Sequence, residues 1–144
     1  MRDKCALVFL LVASAGFARW QYGQAGAEAD FRACLANVKK LATAMEMYST
    51  EHKGRYPLTF QALVPVYLRE VPLCPAAGRD TYTRGLELGP YAPHNEHGYQ
   101  DYYYLCCSGE NHRGASPNTP WIDGVTGILF RDEKQELTFR GWRD

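Results

Sequence analysis

Sulfur and imidazole are the reactive groups that stand out in this chain. Cysteines occupy positions 5, 34, 74, 106 and 107, and histidines positions 52, 94, 97 and 112. His94, His97, Cys106, Cys107 and His112 fall within 19 residues, and thiolates with imidazoles are the donors of zinc sites. No Cys-x2-Cys pair accompanies them, and His94 and His97 sit in a stretch rich in Gly, Pro and Asn, so zinc is not expected there. Ser108, His112 and Asp101 are the residue types of a hydrolytic triad. Ser108-Gly109-Glu110 is not a nucleophile elbow, however, and the chain has no phosphate-binding Gly loop. Catalysis is therefore not expected. Tyr102, Tyr104 and His112 are candidate binding residues, through which an aromatic strand and a His-rich loop would take a metal ion or a glycan.

The meaning of the cysteines depends on the compartment. Met1 to Lys4 is a short, slightly basic start, and Cys5 to Ala18 is apolar or small throughout. As a helix those residues would extend about 21 Å, against roughly 30 Å for a bilayer core. The reading is a secretory signal peptide over 1–18, or a short membrane anchor, with 19–30 a linker or the start of a helix and 31–144 the folded domain. The protein is then secreted, periplasmic or at the cell surface, or held in the inner membrane if the apolar segment is retained. In an oxidising compartment Cys34, Cys74, Cys106 and Cys107 are an even set of disulfide candidates. Bonded neighbours are strained, so Cys106 and Cys107 should each pair with Cys34 or Cys74, in either combination. In a strand the two would point to opposite faces.

These side chains are positioned by few elements. Phe31, Leu35, Val38, Leu41, Ala42, Met45 and Tyr48 recur at helical steps and predict a helix over 28–52, ended by Lys53-Gly54. Thr59 is a plausible N-cap for a short helix reaching Tyr67, limited by Pro65. Tyr48, Tyr56, Leu63 and Tyr67 are expected in the core. Strands are expected at 81–83, 99–107, 127–131 and 136–142, with loops at 85–98 and 108–123. The fold class is α+β: a long helix on a small antiparallel sheet, stapled by disulfides. With 144 residues, 16 basic and 16 acidic, the net charge is zero, which argues against a nucleic-acid partner and for protein partners.

Several segments taken in order carry a family resemblance. Ala33 to Leu41 with Ala44 to Tyr48, then Gly54-Arg55-Tyr56-Pro57, Leu63 to Leu68, Val71 to Pro75, Tyr102 to Cys106 and Gly109 to His112 are similar to the globular heads of type IV pilins and type II secretion pseudopilins. The resemblance implies the long-helix fold, a structural or interaction role, and partners in a pilus or secretion apparatus. It also implies Ca²⁺ as the one conceivable cofactor, because some major pseudopilins hold it near their C-terminal strands; Asp123 and nearby carbonyls are the candidates. The N-terminus departs from the pilin pattern. Gly16-Phe17 has the processing dipeptide, but Gln21 stands where those proteins carry Glu, and Arg19, Trp20 and Gln24 interrupt the apolar helix expected there.

Overall fold

The computed structural model describes the backbone of residues 2–115, 120–125, 127–128, 131–132 and 135–136, and the side chains of residues 23, 25–115 and 120–125. The side chains behind the signal-peptide reading of 1–18 therefore lie outside the described residues, as does most of the strand expected at 136–142. Helix α1 runs unbroken from Arg2 to Glu51, 50 residues or about 75 Å at 1.5 Å per residue, and passes straight through 19–30. Among the described residues no helix is long and apolar enough to cross a membrane. The helix closes at Lys53-Gly54 as expected, with the Gly54 amide bonded to the Ser49 carbonyl at 2.9 Å.

The second half of α1 packs on an antiparallel meander. Strand β1 is Leu86–Leu88, β2 is Tyr103–Cys106 and β3 is Trp121–Asp123, with a two-residue β4, Gly127–Ile128, added at the edge. A two-stranded antiparallel pair, β5 (Arg131–Asp132) and β6 (Gln135–Glu136), completes the described strands; most of the turn expected at 132–134 lies outside the described residues. Alternation along β2 sends Tyr103 and Leu105 inward, beside Leu88, Leu86 and Ile122 in the pairing register. They meet Val38, Leu41, Ala42 and Met45 from α1, with Phe60 and Leu63 closing one end. Leu63 is fully buried as expected, whereas Tyr48, Tyr56 and Tyr67 pack at the core's margin. There the hydroxyl of Tyr56 donates to Glu46 at 3.0 Å and that of Tyr67 to Glu51.

Several local expectations shift, and β3 itself falls within 108–123, a stretch expected to be loop. The segment 81–83 is not a strand, because Asp80 Oδ1 accepts the amides of Tyr82 (2.8 Å) and Thr83 (3.1 Å) and turns the chain into a 3₁₀ segment, Thr83–Gly85. The strand begins only at Leu86, in a stretch expected to be loop. The aromatic strand starts at Tyr103 rather than Tyr99. Asn95 bonds the Tyr99 amide (3.0 Å) and carbonyl (2.8 Å), holding that segment in the preceding loop. The short helix after Thr59 is a 3₁₀ segment, Phe60–Leu63, and Thr59 makes no side-chain cap.

Close approach fixes Gly85 at the foot of the sheet. A Cβ there would lie 2.1 Å from the Cys106 carbonyl oxygen, a backbone atom that cannot swing away. Gly85→Ala should cost about 1–3 kcal/mol in overpacking, measurable as a lower denaturant midpoint with an unchanged slope.

Candidate functional site

Among the described residues the cysteines form no disulfide: Cys34, Cys74, Cys106 and Cys107 are all free thiols. The expected stapling is therefore corrected, for a geometric reason. The Sγ atoms of Cys74 and Cys107 are 3.6 Å apart, far from a bond of about 2.05 Å. Cys34, Cys74, Cys107 and His112 instead converge as a four-residue cluster, all buried, with their donor atoms within 4.8 Å of one another. His112 Nε2 stands 3.5 Å from Cys74 Sγ and 3.5 Å from Cys107 Sγ.

Three segments deliver the four members: α1, the turn at Cys74 and the loop after β2. Cys34 lies on α1 four residues before Val38 and seven before Leu41, so helical periodicity aims it at the sheet. Cys74 opens the turn Cys74-Pro75-Ala76-Ala77-Gly78, closed by the Gly78 amide on the Cys74 carbonyl (2.8 Å) and by the Cys74 amide on the Arg79 carbonyl (2.9 Å). Gly78 has φ +63°, a conformation that disfavours other residues, and it lets the turn fold back. Cys107 follows β2 and faces inward, fully buried, while Cys106 is half-buried on the other face, the opposition expected of neighbours in a strand. The loop after β2 is pinned by Ser108, whose amide and hydroxyl both donate to the Thr81 carbonyl (3.1 and 2.7 Å), and it returns His112 against the cysteines. The Phe31 ring meets the imidazole edge-on at 5.5 Å.

Every sulfur in the cluster receives hydrogen-bond donors. The Tyr82 hydroxyl donates to Cys34 Sγ at 3.2 Å and is itself held by Asn37 Nδ2 at 3.2 Å. The amides of Ala77 and Ala76 donate to the Cys74 sulfur. The Thr81 hydroxyl lies 3.0 Å from Cys107 Sγ, and Asn111 Nδ2 reaches the same atom at 3.9 Å. Donors on Cys107, first the Cys34 thiol and then Thr81 and His112, pull its thiol below the ordinary range despite burial. Cys34 is pushed up by its bond to Cys107 and by desolvation. Desolvation also raises Cys74, with the Ala77 and Ala76 amides opposing it. Cys106, outside the cluster, is pushed up to about 11 by burial.

The other candidate residues gather elsewhere. Tyr102, Tyr104, His94, His97 and Asp123 line one open cleft of about 460 Å³ on the far face of the sheet, together with Tyr99 and Trp121. His94 stacks on Tyr104 at 3.9 Å and pairs with Glu87 at 2.9 Å, while Tyr104 tilts against Trp121 at 5.5 Å. His112 thus leaves the binding group in which the sequence placed it and joins the cysteines. Cys34 and Cys74 are the cluster members that the zinc motif search missed, because they lie far from Cys107 in sequence.

In comparisons with other proteins, the chain matches no family model, no curated protein and no solved structure.

Proposed function

We propose that this chain is a non-catalytic, pilin- or pseudopilin-like domain with a structural or interaction role beside a type IV pilus or type II secretion apparatus. It would be exported to the periplasm or cell surface, or kept in the inner membrane by its N-terminal segment. One observation carries the reading. The buried stripe of α1 begins near Cys34 and ends at Ser49, whereas Ala25, Gly26, Glu28 and Ala29 stand exposed on the same continuous helix. Exposed helix positions next to the part covered by the head are suited to packing on a neighbour. The Cys34, Cys74, Cys107 and His112 cluster is buried, which suits a domain that binds rather than transforms. Leu58 (84% exposed) and Val66 (76%) offer apolar contacts to a protein neighbour.

Photo-cross-linking amino acids placed at Leu58 and Val66 in the producing cell test this reading. They should capture subunits of a pilus or secretion apparatus, identified by mass. Capture no different from that at exposed Glu70 would overturn it.

The cleft favours a second reading, a ligand-binding module whose aromatic rings take a glycan. Tyr104→Ala should then weaken binding to a glycan array hit by about 5–160-fold, from the roughly 1–3 kcal/mol that stacking on an aromatic ring contributes elsewhere. An array with no hits removes this reading.

A further inference from the structure

We propose that Cys34, Cys74, Cys107 and His112 bind one zinc ion in a closed, tetrahedral Cys₃His centre that ties α1 to the sheet. The inference stands independently of the pilin-like reading, because it uses only the geometry of these side chains and their surroundings.

Distances make the first argument. Around zinc, with Zn–S about 2.3 Å and Zn–N about 2.0–2.1 Å, tetrahedral geometry separates two sulfurs by about 3.8 Å and a sulfur from a nitrogen by about 3.6 Å. Cys74 and Cys107 are separated by 3.6 Å, and His112 Nε2 lies 3.5 Å from each sulfur. These values are too long for disulfides, whose S–S bond is about 2.05 Å. They are the edges expected of a polyhedron around a central ion.

The surroundings make the second. The Tyr82 hydroxyl is aimed at the Cys34 sulfur, the Ala76 and Ala77 amides at that of Cys74 and the Asn111 amide at that of Cys107, where the Thr81 hydroxyl also lies at 3.0 Å. A neutral thiol accepts hydrogen bonds weakly and a thiolate accepts them strongly, so the pattern suits three thiolates. Three buried negative charges need a cation, and zinc reduces the net charge of the centre to −1 as the three thiol protons leave for solvent. Oxygen-seeking calcium and magnesium do not suit a donor set of sulfur and nitrogen. His112 completes the donor set: it is only 5% exposed, its Nε2 faces the Cys74 and Cys107 sulfurs, and among the described residues its Nδ1 has no hydrogen-bond partner.

All four ligands are protein side chains and all are buried, which leaves no position for water or substrate and makes the centre structural. The ligands come from the helix, the Cys74 turn and the loop after β2, so the site exists only in the folded chain. Ligation would also keep these thiols from pairing as disulfides in an oxidising compartment. Tyr82, Thr81 and the Cys74-turn amides then act as outer-shell groups that orient and stabilise the thiolates.

The test uses the full chain, purified without added metal or reductant. Elemental analysis should find one zinc per chain. Titration with an organomercurial that caps thiolates should release it to a chromogenic chelator. Cobalt reconstitution should give the intense visible bands of tetrahedral thiolate coordination. Cys106→Ser should keep the full stoichiometry, and Tyr82→Phe should bind about 10–100-fold more weakly. Cys34→Ser and His112→Ala should each lose the tetrahedral cobalt spectrum. If a variant does not fold, the wild-type release and cobalt spectra decide the question alone. Wild-type protein that contains no zinc and gives no tetrahedral cobalt spectrum overturns the proposal, as does a Cys106→Ser variant that loses metal like Cys34→Ser.

Discussion

Cys74→Ser should abolish the cooperative thermal transition of this domain, and wild-type protein stripped by a strong chelator should behave in the same way. The expected size follows from two magnitudes. Structural zinc sites contribute apparent free energies of about 10–16 kcal/mol at neutral pH. Whole domains are stable by only about 5–15 kcal/mol. Removing one thiolate from a buried set also leaves the other donors facing one another without a cation, a further cost. Circular dichroism through a temperature ramp checks both arms, and returning zinc should restore the transition in stripped wild-type protein but not in Cys74→Ser. Cys106→Ser is the control. Its sulfur lies on the opposite face of β2 from Cys107, and this variant should melt close to wild type.

The second large effect is expected from Tyr103→Ala. Tyr103 is 1% exposed at the start of β2, and its ring meets Tyr56 edge-on at 4.7 Å. Gly124 packs so closely that a Cβ there would stand 2.8 Å from the same ring. Truncating a buried aromatic of this kind costs about 3–5 kcal/mol through lost burial and the cavity left behind. Tyr103→Phe, which keeps the ring, should lose far less. Equilibrium denaturation measures both, and the zinc content of folded Tyr103→Ala should stay at one per chain. That combination separates loss of packing from loss of the metal tie, which Cys74→Ser removes together with its fold.

Sequence reading reached the architecture more easily than the site. The helical stripe from Phe31 to Tyr48 is strongly periodic, and its burial against a sheet follows from that pattern alone. Short strands were harder to place, because side-chain caps from Asp80 and Asn95 decide where pairing begins, and such bonds leave no periodic trace. The four cysteines were read through their compartment and even number as two disulfides. Two local signals pointed elsewhere. Cys34 falls on the buried stripe, so it faces whatever packs on the helix. Cys74-Pro75-Ala76-Ala77-Gly78 is a turn that can aim two amides at its own sulfur. Since Cys106 and Cys107 alternate, only Cys107 can join an inward cluster, and His112 follows it by five residues. A search for adjacent Cys-x2-Cys pairs cannot find such a set, because the tertiary fold brings together ligands such as Cys74 and Cys107, 33 residues apart. His94 and His97 made a denser local pattern, yet the fold directs them to the aromatic cleft instead.

The proposed zinc ion, rather than disulfide bonds, would join the helix, the Cys74 turn and the β2 loop, and native mass spectrometry of the intact chain, prepared without reductant or chelator, distinguishes the two. One dominant species is expected, heavier than the bare chain by a single zinc less the protons it displaces. Acid denaturation should return that species to the mass of the fully reduced chain. A species that stays metal-free and is lighter than the reduced chain by a pair of hydrogens for each disulfide would contradict it.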